Sequence, residues 1–104
     1  LSQITYYVKK HYMEEISLND ISAVVSLNPE YFSRFFKKHM GITFLEYLNS
    51  IRLEYAYNDL ASTSYSISEI LSRNGFTNYK MFIKLFKNRF GCTPSEKRKE
   101  LLNH

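Results

Sequence analysis

The sequence is short of the residues that build most kinds of active site. Among its 104 residues there is one cysteine, Cys92, so no disulfide can close within the chain, and a reducing cytoplasm is the expected setting. The three histidines, His11, His39 and His104, are scattered and share no metal-ligand spacing with Cys92 or with one another. Three glycines, Gly41, Gly75 and Gly91, form no phosphate-cradling loop. No apolar run approaches the roughly 18 residues of a membrane span. The chain starts at Leu1 with neither an initiator Met nor a leader, the expectation for a piece of something longer. No nucleophile and base stand together. These absences argue against an enzyme, a metal site, a bound cofactor or a membrane partner.

What is present is positive charge, unevenly placed. The 14 Lys and Arg outnumber the 10 Asp and Glu, for a net of +4. Segment 29–40 holds Arg34, Lys37 and Lys38 against Glu30, a net of +2, and segment 78–90 holds Lys80, Lys84, Lys87 and Arg89 unopposed, a net of +4. The rest of the chain sums to −2. Two short stretches carry the whole excess, which points to an anionic partner.

Two prolines and three glycines leave few breaks, and the pattern between them has helical period. Pro29 and Pro94 read as first residues of helices, where a missing N–H costs nothing. Thr43 with Glu46, Ser66 with Glu69 and Thr93 with Glu96 read as capping boxes, and Ser17 with Asp20 is a near match. Gly41 and Gly91 sit just past apolar-periodic runs, as left-handed stops. The prediction is an all-α fold of seven helices, at about 2–13, 18–25, 29–40, 44–62, 67–74, 79–90 and 94–102.

The chain also repeats itself. With a shift of 50, Asn28, Phe32, Phe36, Lys37, Gly41 and Thr43 recur as Asn78, Phe82, Phe86, Lys87, Gly91 and Thr93. Upstream the shift is 49, pairing Ser17 with Ser66 and Ile21 with Ile70. Each half is a short helix, a tight turn and a longer basic helix. In the longer helices Phe32, Phe35, Phe36 and Met40, and Phe82, Leu85, Phe86 and Phe90, form apolar stripes and are expected in the core. Glu30, Ser33, Arg34 and Lys37, and Lys80, Ile83, Lys84 and Lys87, are expected to face outward. A single such face is ordinarily only a solvated surface; two at matching positions fit helix-turn-helix recognition of double-stranded DNA. The intervening helix, about 28 Å at 1.5 Å per residue, is close to the ~34–36 Å between successive major grooves on one side of B-DNA. One chain is therefore expected to reach two adjacent grooves.

Motif by motif, the run SLNPEYFSRFFKKHMGITFLEYLNSIRLEYA followed by SISEILSRNGFTNYKMFIKLFKNRFGCTPSEKRK resembles the DNA-binding domain of the AraC/XylS family of bacterial transcription regulators. Arg52 with Ala56, Gly75-Phe76, Phe82, Lys84, Phe86-Lys87, Gly91 and Thr93-Pro94 carry the likeness, which covers about residues 5–99. The resemblance implies one AraC-type domain over 1–104. Its parts are a first helix-turn-helix unit at about 17–40, a linker helix at 44–62, a second unit at 66–90 and a terminal helix at 94–102. It further implies a cytoplasmic transcription factor, usually an activator, with an RNA polymerase contact and a separate effector or dimerisation domain. The chain departs from the family pattern at Ser22, Ser26, Leu71, Asn74 and Lys97.

Roles follow from side-chain chemistry. For base readout the candidates are Arg34, whose guanidinium fork matches guanine O6 and N7, flanked by Glu30 and Ser33, and in the second unit Tyr79, Lys80, Ile83 and Lys84. Glu30 can accept from cytosine N4 or simply complement the helix N-terminus. Ile83 is either a contact to a thymine methyl or a core residue. Lys37, Lys38, Lys87 and Arg89 suit phosphate, and Asn28 and Asn78 are helix caps that can also touch phosphate. The competing reading is a helical protein-interaction module whose basic faces take an acidic partner.

Overall fold

The computed structural model describes residues 1–103; His104 lies outside them. Among the described residues there are seven helices: α1 (Ser2–His11), α2 (Leu18–Val24), α3 (Pro29–Met40), α4 (Phe44–Ser62), α5 (Ile67–Arg73), α6 (Tyr79–Phe90) and α7 (Pro94–Leu102). No helix is long and apolar enough to cross a membrane. The all-α expectation stands, with small differences at three helix ends. α1 stops two residues early, where the Glu14 N–H donates to the His11 carbonyl at 2.8 Å and the Glu14 carboxylate meets His11 Nδ1 at 2.9 Å. α2 and α5 each end one residue early, because Val25 (φ −107°) and Asn74 (φ −101°) have left helical geometry.

The helices start where side chains can satisfy free backbone donors. Reciprocal capping boxes close at Ser17–Asp20, Thr43–Glu46 and Thr93–Glu96. The box expected at Ser66–Glu69 is half made: Ser66 Oγ accepts from the Glu69 N–H at 3.1 Å. The Glu69 carboxylate lies 3.7 Å from Arg73 Nε, an alternative partner one turn along the same helix. Gly41 (φ +79°) and Gly91 (φ +84°) end α3 and α6 in the left-handed region that glycine adopts without strain.

The chain divides into two compact units, Leu1–Ile51 and the residues from Arg52 onward. In the first, α1 packs on α2 and α2 on α3. Its core holds Ile4, Val8, Ile21, Phe32, Phe36, Phe44 and Leu48. Phe44 meets Phe32 and Phe36 edge to face at 5.7 and 5.5 Å, the arrangement favoured by ring quadrupoles. In the second unit α5 packs on α6 and α6 on α7, and the second half of α4 supplies Leu53, Ala56 and Leu60 to a core completed by Ile70, Leu71, Phe76, Phe82 and Phe86. Because α4 serves one core with its first half and another with its second, its apolar residues run round the helix rather than along one side.

Met40, expected in the core, is 38% exposed. It is the last residue of α3, and Gly41 turns the chain away beyond it. Its counterpart Phe90 is a longer ring that reaches Tyr57 at 4.8 Å and Phe86 at 4.6 Å, and is half-buried.

Candidate nucleic-acid interface

Each unit contains a short helix, a tight turn and a longer helix, and the two turns share one geometry. In the first, the Leu27 N–H donates to the Ser22 carbonyl at 3.0 Å; in the second, Phe76 donates to Leu71 at 3.0 Å. The residue before each donor has a positive φ: Gly75 at +89°, and Ser26 at +56°. Ser26 thus holds a left-handed conformation that costs an L-residue about 1–2 kcal/mol. The departures at Ser22 and Leu71 are buried beneath these turns, with Ser22 Oγ donating to the Asn19 carbonyl at 3.2 Å. Asn74 is buried as well, and its Nδ2 donates to Asp59 Oδ2 at 2.9 Å and the Ile70 carbonyl at 2.8 Å. Both N–H donors of the buried amide are thereby used, and it ties the end of α5 to α4.

The longer helices are presented alike. Asn28 Oδ1 accepts from the Tyr31 N–H at 2.8 Å, and Asn78 Oδ1 from the Met81 N–H at 2.9 Å, so each helix has a defined start. Phe32 and Phe36, and Phe82 and Phe86, anchor one side of each helix in its core. On α3 this leaves Glu30, Ser33, Arg34, Lys37 and Lys38 exposed; on α6 it leaves Tyr79, Lys80, Lys84 and Lys87 exposed. Both caps, Asn28 and Asn78, are also exposed. Next to the cations lie the capping carboxylates Glu46, beside Lys37, and Glu96, beside Lys87. Both carboxylates are held below the ordinary range for Glu, first by the backbone N–H of Thr43 or Thr93 and then by its hydroxyl.

Two of the candidates are placed differently from the others. Ile83 is half-buried and packs against the core of the second unit, so the core-residue alternative describes its position. Arg89 turns its guanidinium to α4, with Nη2 donating to Glu54 Oε1 at 2.9 Å. At about 100° per residue it stands about 140° round α6 from Lys84, well away from the outward cations.

Several side chains that hold this arrangement are not evident in the sequence. Arg98 of α7 donates to the carbonyls of Tyr65 and Thr63, fixing the connection that leads into α5. The Arg73 guanidinium lies 4.1 Å from the Tyr65 ring centre. Arg52, already among the motif residues, is buried, and burial pushes its guanidinium below its ordinary pKa. The Arg98 contacts join residues 33 and 35 apart in the chain, and no local spacing signals them.

The profile of a helix-turn-helix domain family matches residues 21–100. The C-terminal domain of the two-component response regulator yesN from Fusobacterium nucleatum is similar in structure, with a TM-score of 0.84 and 32% identity, covering 93% of this chain and 95% of that one. A Chromobacterium violaceum transcriptional regulator of the proteins containing an AraC-type DNA-binding domain matches with a TM-score of 0.88 and 29% identity, over 97% of this chain and 90% of that one. In sequence, an uncharacterized HTH-type transcriptional regulator of Staphylococcus aureus is 32% identical over 94% of this chain. The chain spans 13% of that regulator's length. Paired turns, paired basic helices and these likenesses agree: the chain belongs to the AraC/XylS family and is a DNA-binding domain of a transcription regulator.

Proposed function

We propose that this domain reads an asymmetric DNA site as a single chain, placing α3 and α6 in adjacent major grooves. The observation that carries this reading is the matched pair of exposed basic faces, each on a capped helix behind the same tight turn. The length of α4, 19 residues or about 28 Å, supports it, being close to one turn of B-DNA. Arg34, Glu30 and Ser33 read bases in one half-site, and Lys80, Lys84 and Tyr79 in the other. Lys37, Lys38, Lys87, Asn28 and Asn78 hold phosphates and set the register. The longer protein acts in the cytoplasm as an activator. It contacts RNA polymerase and carries an effector or dimerisation domain outside this chain.

Selection of bound sequences from a random duplex pool tests the reading. A site with two unlike half-sites about 10 bp apart, bound by one copy, is the expected result. On that duplex Arg34→Ala should weaken binding by about 1–3 kcal/mol and relax preference at one base pair, while a scrambled duplex is little affected. Equal losses on the selected and scrambled duplexes would make Arg34 a phosphate ligand. A palindromic site needing two copies would overturn the single-chain reading.

A further inference from the structure

The open face of α6 carries a large apolar side chain that the core does not use. Met81 is 40% exposed, and its counterpart on α3, Tyr31, is 51% exposed. Each is the third residue of its helix, and each has its backbone N–H bound by the capping Asn, so both are fixed in the first turn. At about 100° per residue Met81 lies about 60° from Lys84 and about 160° from Ile83. Tyr31 stands in the same relation to Arg34 and Ser33, with its ring stacked on Phe35 at 6.3 Å and 21°. Even with that stacking about half of Tyr31 stays exposed, and Met81 likewise keeps a large part of its side chain open beside the cations. In a major groove such an apolar group has one apolar feature to meet, the C5-methyl of thymine, since the other edge atoms are hydrogen-bond donors and acceptors.

From this geometry we infer that the third residue of each recognition helix, Met81 and Tyr31, determines specificity by packing on a thymine methyl, and that Ile83 is a packing residue. The inference rests on the DNA-reading function proposed above and names the side chains that give it thymine preference. It also resolves the two alternatives for Ile83: its side chain is already engaged by the second core.

Replacing each thymine of the selected duplex in turn by deoxyuridine removes only the methyl group. The unaltered 104-residue chain should lose about three- to fivefold in affinity at one thymine in each half-site, the size expected for one buried methyl. Met81→Ala should bind the thymine and deoxyuridine duplexes equally in the second half-site, and Tyr31→Ala should do so in the first. Ile83→Val should keep both penalties. Met81→Gln, which keeps length and helix propensity, should behave as Met81→Ala, with an unchanged helical circular dichroism spectrum confirming the fold. Penalties that survive Met81→Ala and Met81→Gln, or no penalty anywhere in the second half-site, overturn the inference and leave DNA reading intact. An unaltered chain that fails to distinguish selected from scrambled DNA overturns the DNA reading, and the inference with it.

Discussion

Lys87→Ala and Arg89→Ala remove the same formal charge from the last turn of α6, yet the structure gives them different effects on DNA affinity. Lys87 is exposed, and the acid beside it, Glu96, is occupied in capping α7, where its Oε1 accepts from the Thr93 N–H at 2.9 Å. Arg89 donates to Glu54 at 2.9 Å and points away from the outward cations. Each phosphate neutralised on B-DNA contributes a slope of about −0.9 to log K against log salt. Between about 50 and about 200 mM salt, one such contact therefore accounts for roughly a 3.5-fold change in affinity. Lys87→Ala, and Lys37→Ala in the first unit, should flatten the slope by about 0.9, whereas Arg89→Ala should change it by less than about 0.3. Folding should scarcely register the loss of Arg89, because an exposed ion pair is worth about 0–1 kcal/mol. Anisotropy titrations of a labelled duplex across that salt range measure all three slopes. If Arg89→Ala flattens the slope as much as Lys87→Ala, the Glu54 pair opens on DNA and Arg89 is a phosphate ligand after all.

Two further outcomes follow from the backbone and the caps. Ser26→Gly should stabilise the fold by about 0.5–1 kcal/mol, since relief of about 1–2 kcal/mol at a left-handed residue is partly offset by the greater freedom of an unfolded glycine. The melting temperature should rise by roughly 2–8 °C, and a fall would show that the serine side chain stabilises its turn. The capping carboxylates Asp20, Glu46 and Glu96 all have folded pKa values below their ordinary ones, chiefly through backbone N–H donors at Ser17, Thr43 and Thr93. Their contribution is complete above the unfolded values near pH ~4 and is lost as pH falls through the lower folded ones. Melting temperature should drop on acidification through that window, and replacing all three by Asn or Gln should lower it at pH 7 and flatten the drop. An unchanged acid profile in the triple variant would mean that other carboxylates dominate.

What could be read in the sequence was what acts over one helical turn. Prolines at first positions, Ser and Thr caps, glycine stops and the Phe32/Phe36 and Phe82/Phe86 stripes all work between near neighbours, and together they set seven helices at nearly their observed limits. The basic faces were legible for the same reason, being what remains of a helix once its anchored side is assigned. Contacts between distant residues could not be read. Asn74, a departure from the family pattern, finds its partner in Asp59, 15 residues away. Arg89 looked like one more free cation until Glu54, 35 residues away, took its guanidinium. The half-made box at Ser66 is the local exception, since Arg73, one turn along α5, offers the Glu69 carboxylate a second neighbour at 3.7 Å.

The position occupied by Ser33 in one repeat and Ile83 in the other shows how a duplicated frame becomes asymmetric. It lies about 80° round the helix from the centre of the buried stripe, at the border between core and groove, so side-chain chemistry decides which side claims it. In the first unit the serine stays exposed beside an open groove of about 260 Å³ lined by Ile16, Leu18, Thr43, Phe44 and Leu45. In the second, isoleucine packs against the core, as do Tyr65 and Ile67, the counterparts of Ile16 and Leu18. The first helix therefore keeps an exposed hydrogen-bonding side chain next to Arg34, while the second uses the equivalent position for packing. On the assignment proposed above, Lys80 and Lys84 are the second helix's polar readers, point charges rather than a planar fork, and that helix should discriminate less sharply among base edges. Base-pair changes across the first half-site should accordingly cost more than changes across the second, although the second helix carries the greater positive charge.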